Sequence, residues 1–130
     1  MSYIPPWGFP VQTISTFDFD GVIYFGGDKP GVRPGPHDIL ITGRSYEESD
    51  KTLAWCKRYG ISNPIYFSQI PEHLKTREIS GYHKAITLRE LAKSYAIARH
   101  FEDDPIQVAI IEAMVPSIPV VHLVHELTKK

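Results

Sequence analysis

The sequence predicts an α/β fold built on a mostly parallel sheet of about five strands. Two observations carry that expectation. Short β-branched and apolar runs alternate with helix-length segments along the chain, the pattern of strands joined by crossover helices. Several of these runs also stop at acids or small hydroxyl residues, and an open parallel sheet places its ligand beyond the carboxyl ends of its strands.

The elements follow in order. Residues 1–10 ("MSYIPPWGFP") read as an extended, partly aromatic arm ahead of one domain spanning 11–130. "VQTISTF" (11–17) is apolar and β-branched enough for a first buried strand. "GVIYFGGDKPGVRPGPH" (21–37) carries too many glycines and prolines for a helix and reads as a hairpin or loop. "DILITG" (38–43) is a second strand. Ser45 followed by Glu48 is a capping-box pattern that starts a helix, and Gly60 suits its C-terminus. "PIYFS" (64–68) is a third strand. A second helix is expected from Lys84 to about Tyr95, with Leu88, Leu91, Ala92 and Tyr95 on its buried face, after a surface loop at 73–84. "AIARHFE" (96–102) is a fourth strand. Asp104 as cap and Pro105 at the first position open a third helix whose buried stripe is expected at Ile106, Ala109, Ile110 and Ala113. "IPVVHLV" (118–124) is the fifth strand.

The bulk numbers set limits. With 130 residues, 42% hydrophobic and 22% charged, the chain can bury a sizeable core. A formal net charge of −1 does not favour nucleic acid or a membrane surface as a partner, although a local basic patch is compatible with it. The single cysteine, Cys56, rules out an internal disulfide and suits a reducing compartment. The N-terminus lacks the basic start and apolar core of a secretory signal, and no apolar run reaches the ~18 residues of a membrane span. The expectation is a cytoplasmic protein.

The stretch "TFDFDGVIYFGG" (16–27) sets two carboxylates, Asp18 and Asp20, at the end of the first strand, where like charges repel unless a cation lies between them. Glu102, Asp103 and Asp104 pose the same problem at the end of the fourth strand. An EF-hand loop does not fit, because Val22 stands where an acid is needed. "GGDKPG" lacks the Lys-Ser/Thr ending of a phosphate-binding loop. His122 and His125 would point to opposite faces of one strand and share no zinc ion.

Taken together, "TFDFDGVI", "ILITGR", "GYHKAITL" and "HFEDDP" resemble the four ordered motifs of the haloacid-dehalogenase-like (HAD-like) hydrolase superfamily over residues 11–124. The resemblance implies a three-layer Rossmann-like fold and a magnesium-dependent phosphatase acting on a phosphorylated substrate. In that reading Asp18 is the nucleophile that forms an aspartyl-phosphate, and Asp20 is the general acid and base. Thr42, Gly43, Arg44 and Lys84 contact substrate, Thr42 and Lys84 also serving catalysis. Asp18, Asp103 and the backbone carbonyl of Asp20 bind Mg²⁺, while Glu102 or Asp104 holds its waters. Asp20 separates this pattern from the dehalogenases, whose halide leaves without protonation.

The connecting segments are too short for a large cap, so a small capless member with an open site is expected. Such a site suits a bulky substrate or closure by a partner. The helix usual between the first two strands is missing, which leaves one sheet face to be covered by the arm or by a second subunit, as a homodimer. The alternative is a non-catalytic module that binds Mg²⁺ or a nucleotide on a degenerate fold of the same kind.

Overall fold

A computed structural model describes residues 11–27 and 31–125. The expected N-terminal arm at 1–10 and the end of the charged tail lie outside the described residues. Five strands form one parallel sheet: β1 (Thr13–Phe17), β2 (Ile39–Ser45), β3 (Ile65–Ser68), β4 (Ala96–Glu102) and β5 (Val120–His122), in the order β3-β2-β1-β4-β5. Three helices accompany them: α1 (Ser49–Arg58), α2 (Arg77–Leu91) and α3 (Pro105–Met114). The fold is the small Rossmann-like α/β domain that the alternating pattern predicts. Strand order reverses around β1 and β4, so the ends of these two strands flank the natural ligand crevice.

Alternate residues of the strands divide the core in two. Ile14, Ile39 and Ile41 face α2 and α3, where they meet Ala85, Leu88, Leu91, Ile111 and Val115. Phe17 and Leu40 face the other way, toward Cys56 and Ile61. Phe17 and Phe101, paired across β1 and β4, stack at 4.6 Å between ring centroids on this second side.

No helix joins β1 to β2 among the described residues, as the sequence predicts. The second face is nonetheless covered from within the chain. Phe19, Val22 and Ile23, just beyond β1, are fully or almost fully buried against α1. Of the predicted hairpin or loop, the described residues form the loop. Val22 and Ile23 accept backbone bonds from Val32 and Gly31, but only an isolated bridge between Asp20 and Tyr24 is formed there. Asp38 ties the end of this loop to the sheet, accepting from the amides of Ser15 and Gly35.

Three local expectations are corrected. Ser45 does cap a helix start, but a 3₁₀ turn (Tyr46–Glu48) comes first, and its hydroxyl accepts from the amide of Glu47, not Glu48. At the far end of α1 the Gly60 expectation holds. Gly60 is left-handed (φ +71°), and Ile61 and Gly60 donate to Cys56 and Lys57, which closes the orphan carbonyls.

The second helix begins two turns earlier than expected, at Arg77, capped by Thr76 onto the amide of Ile79. Its early part contains Gly81, which usually weakens a helix. Here it is the contact point: a Cβ at Gly81 would sit 3.4 Å from Gln107 Cα and 3.0 Å from Ile110 Cδ1, so its absence lets α2 lie close against α3. The helix ends at Leu91, which leaves Ala92 exposed and Tyr95 outside it. On α3 the buried residues are Gln107, Val108 and Ile111, while Ala109 and Ala113 are exposed. This helix is apolar around most of its circumference, so periodicity could not choose the face that packing against α2 and the sheet selects.

If the loop after β1 takes the place of a helix in the core, Ile23→Ala should carry a core-sized penalty. We expect a loss of about 2–4 kcal/mol in urea unfolding, whereas a solvated loop residue would cost a few tenths.

Candidate functional site

The ends of β1 and β4 bring three acids together at the crevice. One oxygen each from Asp18, Glu102 and Asp103 lies within 4.8 Å of the others, close enough to share a cation. Asp18 is placed by main-chain bonds: its amide donates to Phe101 O across the strand pair, and its Oδ1 accepts from the amide of Phe19 at 2.8 Å. Gly21 (φ +79°) turns the chain immediately afterwards. Any Cβ there would collide with Asp103 Oδ2, so glycine is required both for the turn and for the approach of the two acidic segments.

Lys84 projects from α2 into this cluster. Its Nζ lies 2.9 Å from Asp18 Oδ1, 2.9 Å from Glu102 Oε1 and 2.5 Å from Gln107 Oε1. It is buried and sits two turns inside the helix, not at its start as the sequence predicts. Below Glu102 lies His100, also buried, which bridges Glu102 Oε1 (3.2 Å) and Thr16 Oγ1 (2.7 Å). Burial, and then the nearby lysine, push the His100 pKa down to about 3, so it is neutral. Facing a carboxylate that accepts, Nε2 is its donor, and Nδ1 accepts from the Thr16 hydroxyl.

Charge in the cluster does not balance. Lys84 pairs with two of the three carboxylates, Asp18 and Glu102, and Asp103 faces His125, so acids outnumber the one ammonium. Burial and then Glu102 raise the Asp18 pKa to about 7. Burial and then Asp18 raise that of Asp103 to about 6. Burial opposes the charge of Lys84, yet Asp18 and Glu102 hold its pKa above the ordinary lysine value. An all-oxygen donor set with this excess of acids fits a hard divalent cation.

Above the acids opens a cavity of about 510 Å³ lined by Asp18, Asp20, Gly43, Arg44, Lys75, Thr76, Arg77, Ser80, Lys84, Asp103, Asp104 and Gln107. The N-termini of α2 and α3 both border it, adding the positive ends of two helix dipoles to a rim where acids and bases are paired. Asp104 is the α3 cap, accepting from the amides of Ile106 and Gln107, and it pairs with Arg77 at 2.8 Å. Asp20 lies at the rim, its carboxylate held at both oxygens by the Arg44 guanidinium at 2.8 Å each. Arg44 in turn bonds Thr52 Oγ1 and lies over the rings of Phe19 and Tyr24, 4.9 and 5.0 Å from their centroids.

Of the sequence-selected residues, the cavity therefore gathers Asp18, Asp20, Gly43, Arg44, Lys84, Asp103 and Asp104. Glu102 lies beneath it, in the acid cluster. Thr42 is fully buried, and its hydroxyl accepts from the amide of Arg44. The pairing of β2 with β3 shifts register between Ile41 and Ser45, so 42–44 bulge toward the cavity.

Lys75, Arg77 and Ser80 belong to the 73–84 stretch, whose bases and aromatic sit near the expected site but which reads from sequence as a surface loop, and Gln107 carries no sequence signal. Ser80 had a signal: it stands one helical turn before Lys84, on the same side of α2. A Cβ on Gly43 would lie 3.0 Å from Ser80 Oγ, so the bare glycine keeps this part of the wall open. His122 and His125 also behave differently from expectation. The strand ends at His122, and both rings reach Asp103: His122 Nε2 is 3.1 Å from its carbonyl and His125 Nε2 is 3.2 Å from its carboxylate.

Comparison with known proteins gives a likeness of fold. Two solved structures of a Pnkp1/Rnl/Hen1 RNA repair complex contain chains similar to this one, with TM-scores of 0.67 and 0.65 at 14% and 15% identity. Each match covers 88% of this chain but only 43% and 47% of the other, so the chain spans less than half the length of those it resembles. No protein-family model and no curated protein sequence matches the chain. Among the described residues, no helix is long and apolar enough to cross a membrane.

The excess charge has a measurable sign. A carboxyl whose native pKa lies above its unfolded value binds more protons when folded, so its contribution to stability falls as pH rises through the native pKa. His100, held neutral, works in the opposite direction below pH 6.5, so the difference from an isosteric variant isolates the acid. With chelator present, Asp18→Asn should have a higher urea midpoint than the wild type at pH 8, and the gap should close as pH falls from about 7 toward 4. A gap independent of pH would contradict the excess.

Proposed function

We propose that the protein is a Mg²⁺-dependent phosphomonoesterase of the HAD-like type, working through an aspartyl-phosphate on Asp18. The observation that carries this reading is a buried carboxylate at the floor of an open cavity, held by Lys84 among acids that could share a divalent cation. Asp18, Asp103 and the Asp20 carbonyl would hold the metal, with Glu102 beside it. When bound, Mg²⁺ neutralises the approach of an anionic phosphate to an anionic nucleophile.

The residues of the chain do the rest. Lys84 and the amide of Phe19 use Asp18 Oδ1, which leaves Oδ2 as the oxygen that attacks phosphorus. Gly43, Ser80, Arg77 and the two helix N-termini receive the phosphate oxygens. As the bond from phosphorus to the leaving oxygen breaks, Asp20 supplies that oxygen with a proton. Asp20 then accepts a proton from the water that attacks the phosphoenzyme, and Asp18 departs as a carboxylate. For this, the Arg44 fork must release one oxygen of Asp20, which takes up a proton from solvent before the first step. Lys84 balances Asp18 throughout, and Glu102 and Gln107 hold Lys84 in place.

A fully engaged Asp20 is also what favours the second reading, a non-catalytic module that binds Mg²⁺ or a nucleotide. The two separate in one assay: hydrolysis of a panel of phosphate esters, with and without Mg²⁺. The structures of similar fold come from an RNA repair complex, so polynucleotides with terminal phosphates belong in that panel. We expect metal-dependent turnover, lost by at least about a thousandfold in Asp18→Asn, given the typical weight of a catalytic nucleophile. No turnover on any ester, with Mg²⁺ bound, would favour the binder. Arg44→Gln should alter kcat through Asp20 while leaving Mg²⁺ affinity near that of the wild type.

A further inference from the structure

Strand alternation would send His122 and His125 to opposite faces, yet both meet one acid. β5 stops at His122, which pairs with Glu102 of β4, and the amide of Leu123 then donates to Glu102 O at 2.8 Å. This register brings the end of β5 alongside Asp103, the residue that follows β4. His122 Nε2 lies 3.1 Å from the Asp103 carbonyl, and His125 Nε2 lies 3.2 Å from Asp103 Oδ2. A carbonyl can only accept, so His122 donates through Nε2. His125 donates through the same ring atom when Asp103 is ionised, the form that a cation requires.

The second contact is built, not incidental. The His125 ring stands edge-on to Phe25, with centroids 4.9 Å apart, so the loop after β1 holds the imidazole. Gly21 supplies another wall: a Cβ there would collide with Asp103 Oδ2 and lie 2.8 Å from His125 Nε2. Acid and imidazole are packed together against one bare Cα, and their side chains are only 16% and 18% exposed.

Asp103 differs from the other two acids in how it is held. Lys84 pairs with Asp18 and Glu102, and His100 adds a second bond to Glu102. Repulsion from these neighbours favours rotamers that turn Asp103 away from them. The imidazole contact and the Gly21 wall accompany a rotamer that keeps one Asp103 oxygen within 4.8 Å of both.

We propose that His125 is a positioning residue for the cation site: it holds the Asp103 carboxylate in the rotamer that completes the acid triad, while His122 steadies the same residue at its carbonyl. The inference rests on the cation reading of the triad and not on turnover. It makes the stretch after β5 part of the site, although neither histidine lines the cavity above the acids.

The test measures Mg²⁺ binding by titration calorimetry without substrate. His125→Phe keeps an aromatic ring against Phe25 and removes the donor, whereas His125→Gln sets an amide N–H near the place of Nε2. Loss of a hydrogen-bond partner to a metal ligand typically costs about ten- to a hundredfold in metal affinity. We expect a rise of that size in the Mg²⁺ Kd of His125→Phe, and a return most of the way to the wild-type value in His125→Gln. A purely structural role would lower the urea midpoint of the chelated protein and leave the Kd unchanged. Unchanged affinity in His125→Phe, or a loss that His125→Gln shares in full, would overturn the inference.

Turnover is scored separately. If the wild type binds Mg²⁺ but hydrolyses no ester, the phosphatase reading fails and the same comparison still decides His125. If the wild type binds no Mg²⁺, Asp103 has no cation to serve and the inference falls. Should His125→Phe not fold, the wild type decides alone: in ¹⁵N spectra the Nε2–H signal of His125 should be protected from exchange and shift as Mg²⁺ is added. A ring signal indifferent to Mg²⁺ would reject the role.

Discussion

The structure depends on a lysine that is buried and still charged. Removing an ammonium group from water costs several kcal/mol unless its partners are close and complete. Lys84 meets Asp18, Glu102 and Gln107, contributed by β1, β4 and α3. Each partner imposes a constraint of its own. Gln107 comes within reach because Gly81 lets α2 and α3 lie close together. Glu102 is steadied from below by His100 and Thr16. Asp18 is fixed by the amide of its neighbour and by the strand pairing at Phe101. The network joins the sheet to the two helices on one of its faces, α2 and α3.

Much of this was legible in the chain, and the reasons can be stated residue by residue. The fourth strand is correct to the residue because "AIARHFE" runs from a turn to an acid pair without interruption. The start of α3 is equally plain, since an Asp cap followed by proline leaves the backbone few alternatives. The acids of the site were found because charge repulsion within "DFD" and "EDD" has no comfortable resolution without a cation or a base.

What stayed hidden depends on distant neighbours. The first two turns of α2 were masked by Gly81, whose local cost is offset by a contact with Gln107, 26 positions away. The role of Gln107 could not be read because an amide in a helix carries no distinctive pattern. The aromatic loop after β1 looked like a bare crossover, since its glycines and prolines speak of turns and say nothing of what Phe19 and Ile23 bury. His122 and His125 were judged by strand alternation, yet the strand stops between them.

The return half of the β1–β2 connection has a mechanical side. Arg33 donates to the carbonyls of Tyr59 and Gly60, and the Asn63 amide donates to the carbonyls of Gly35 and Asp38. This return segment is thus riveted to the end of α1 and to the stretch leading into β3. Swinging it outward would tow the helix terminus along and shear several bonds together, an excursion closer to sub-global unfolding than to the flick of a lid. Entry to the crevice is set by side chains at its mouth, and the surrounding backbone serves as masonry.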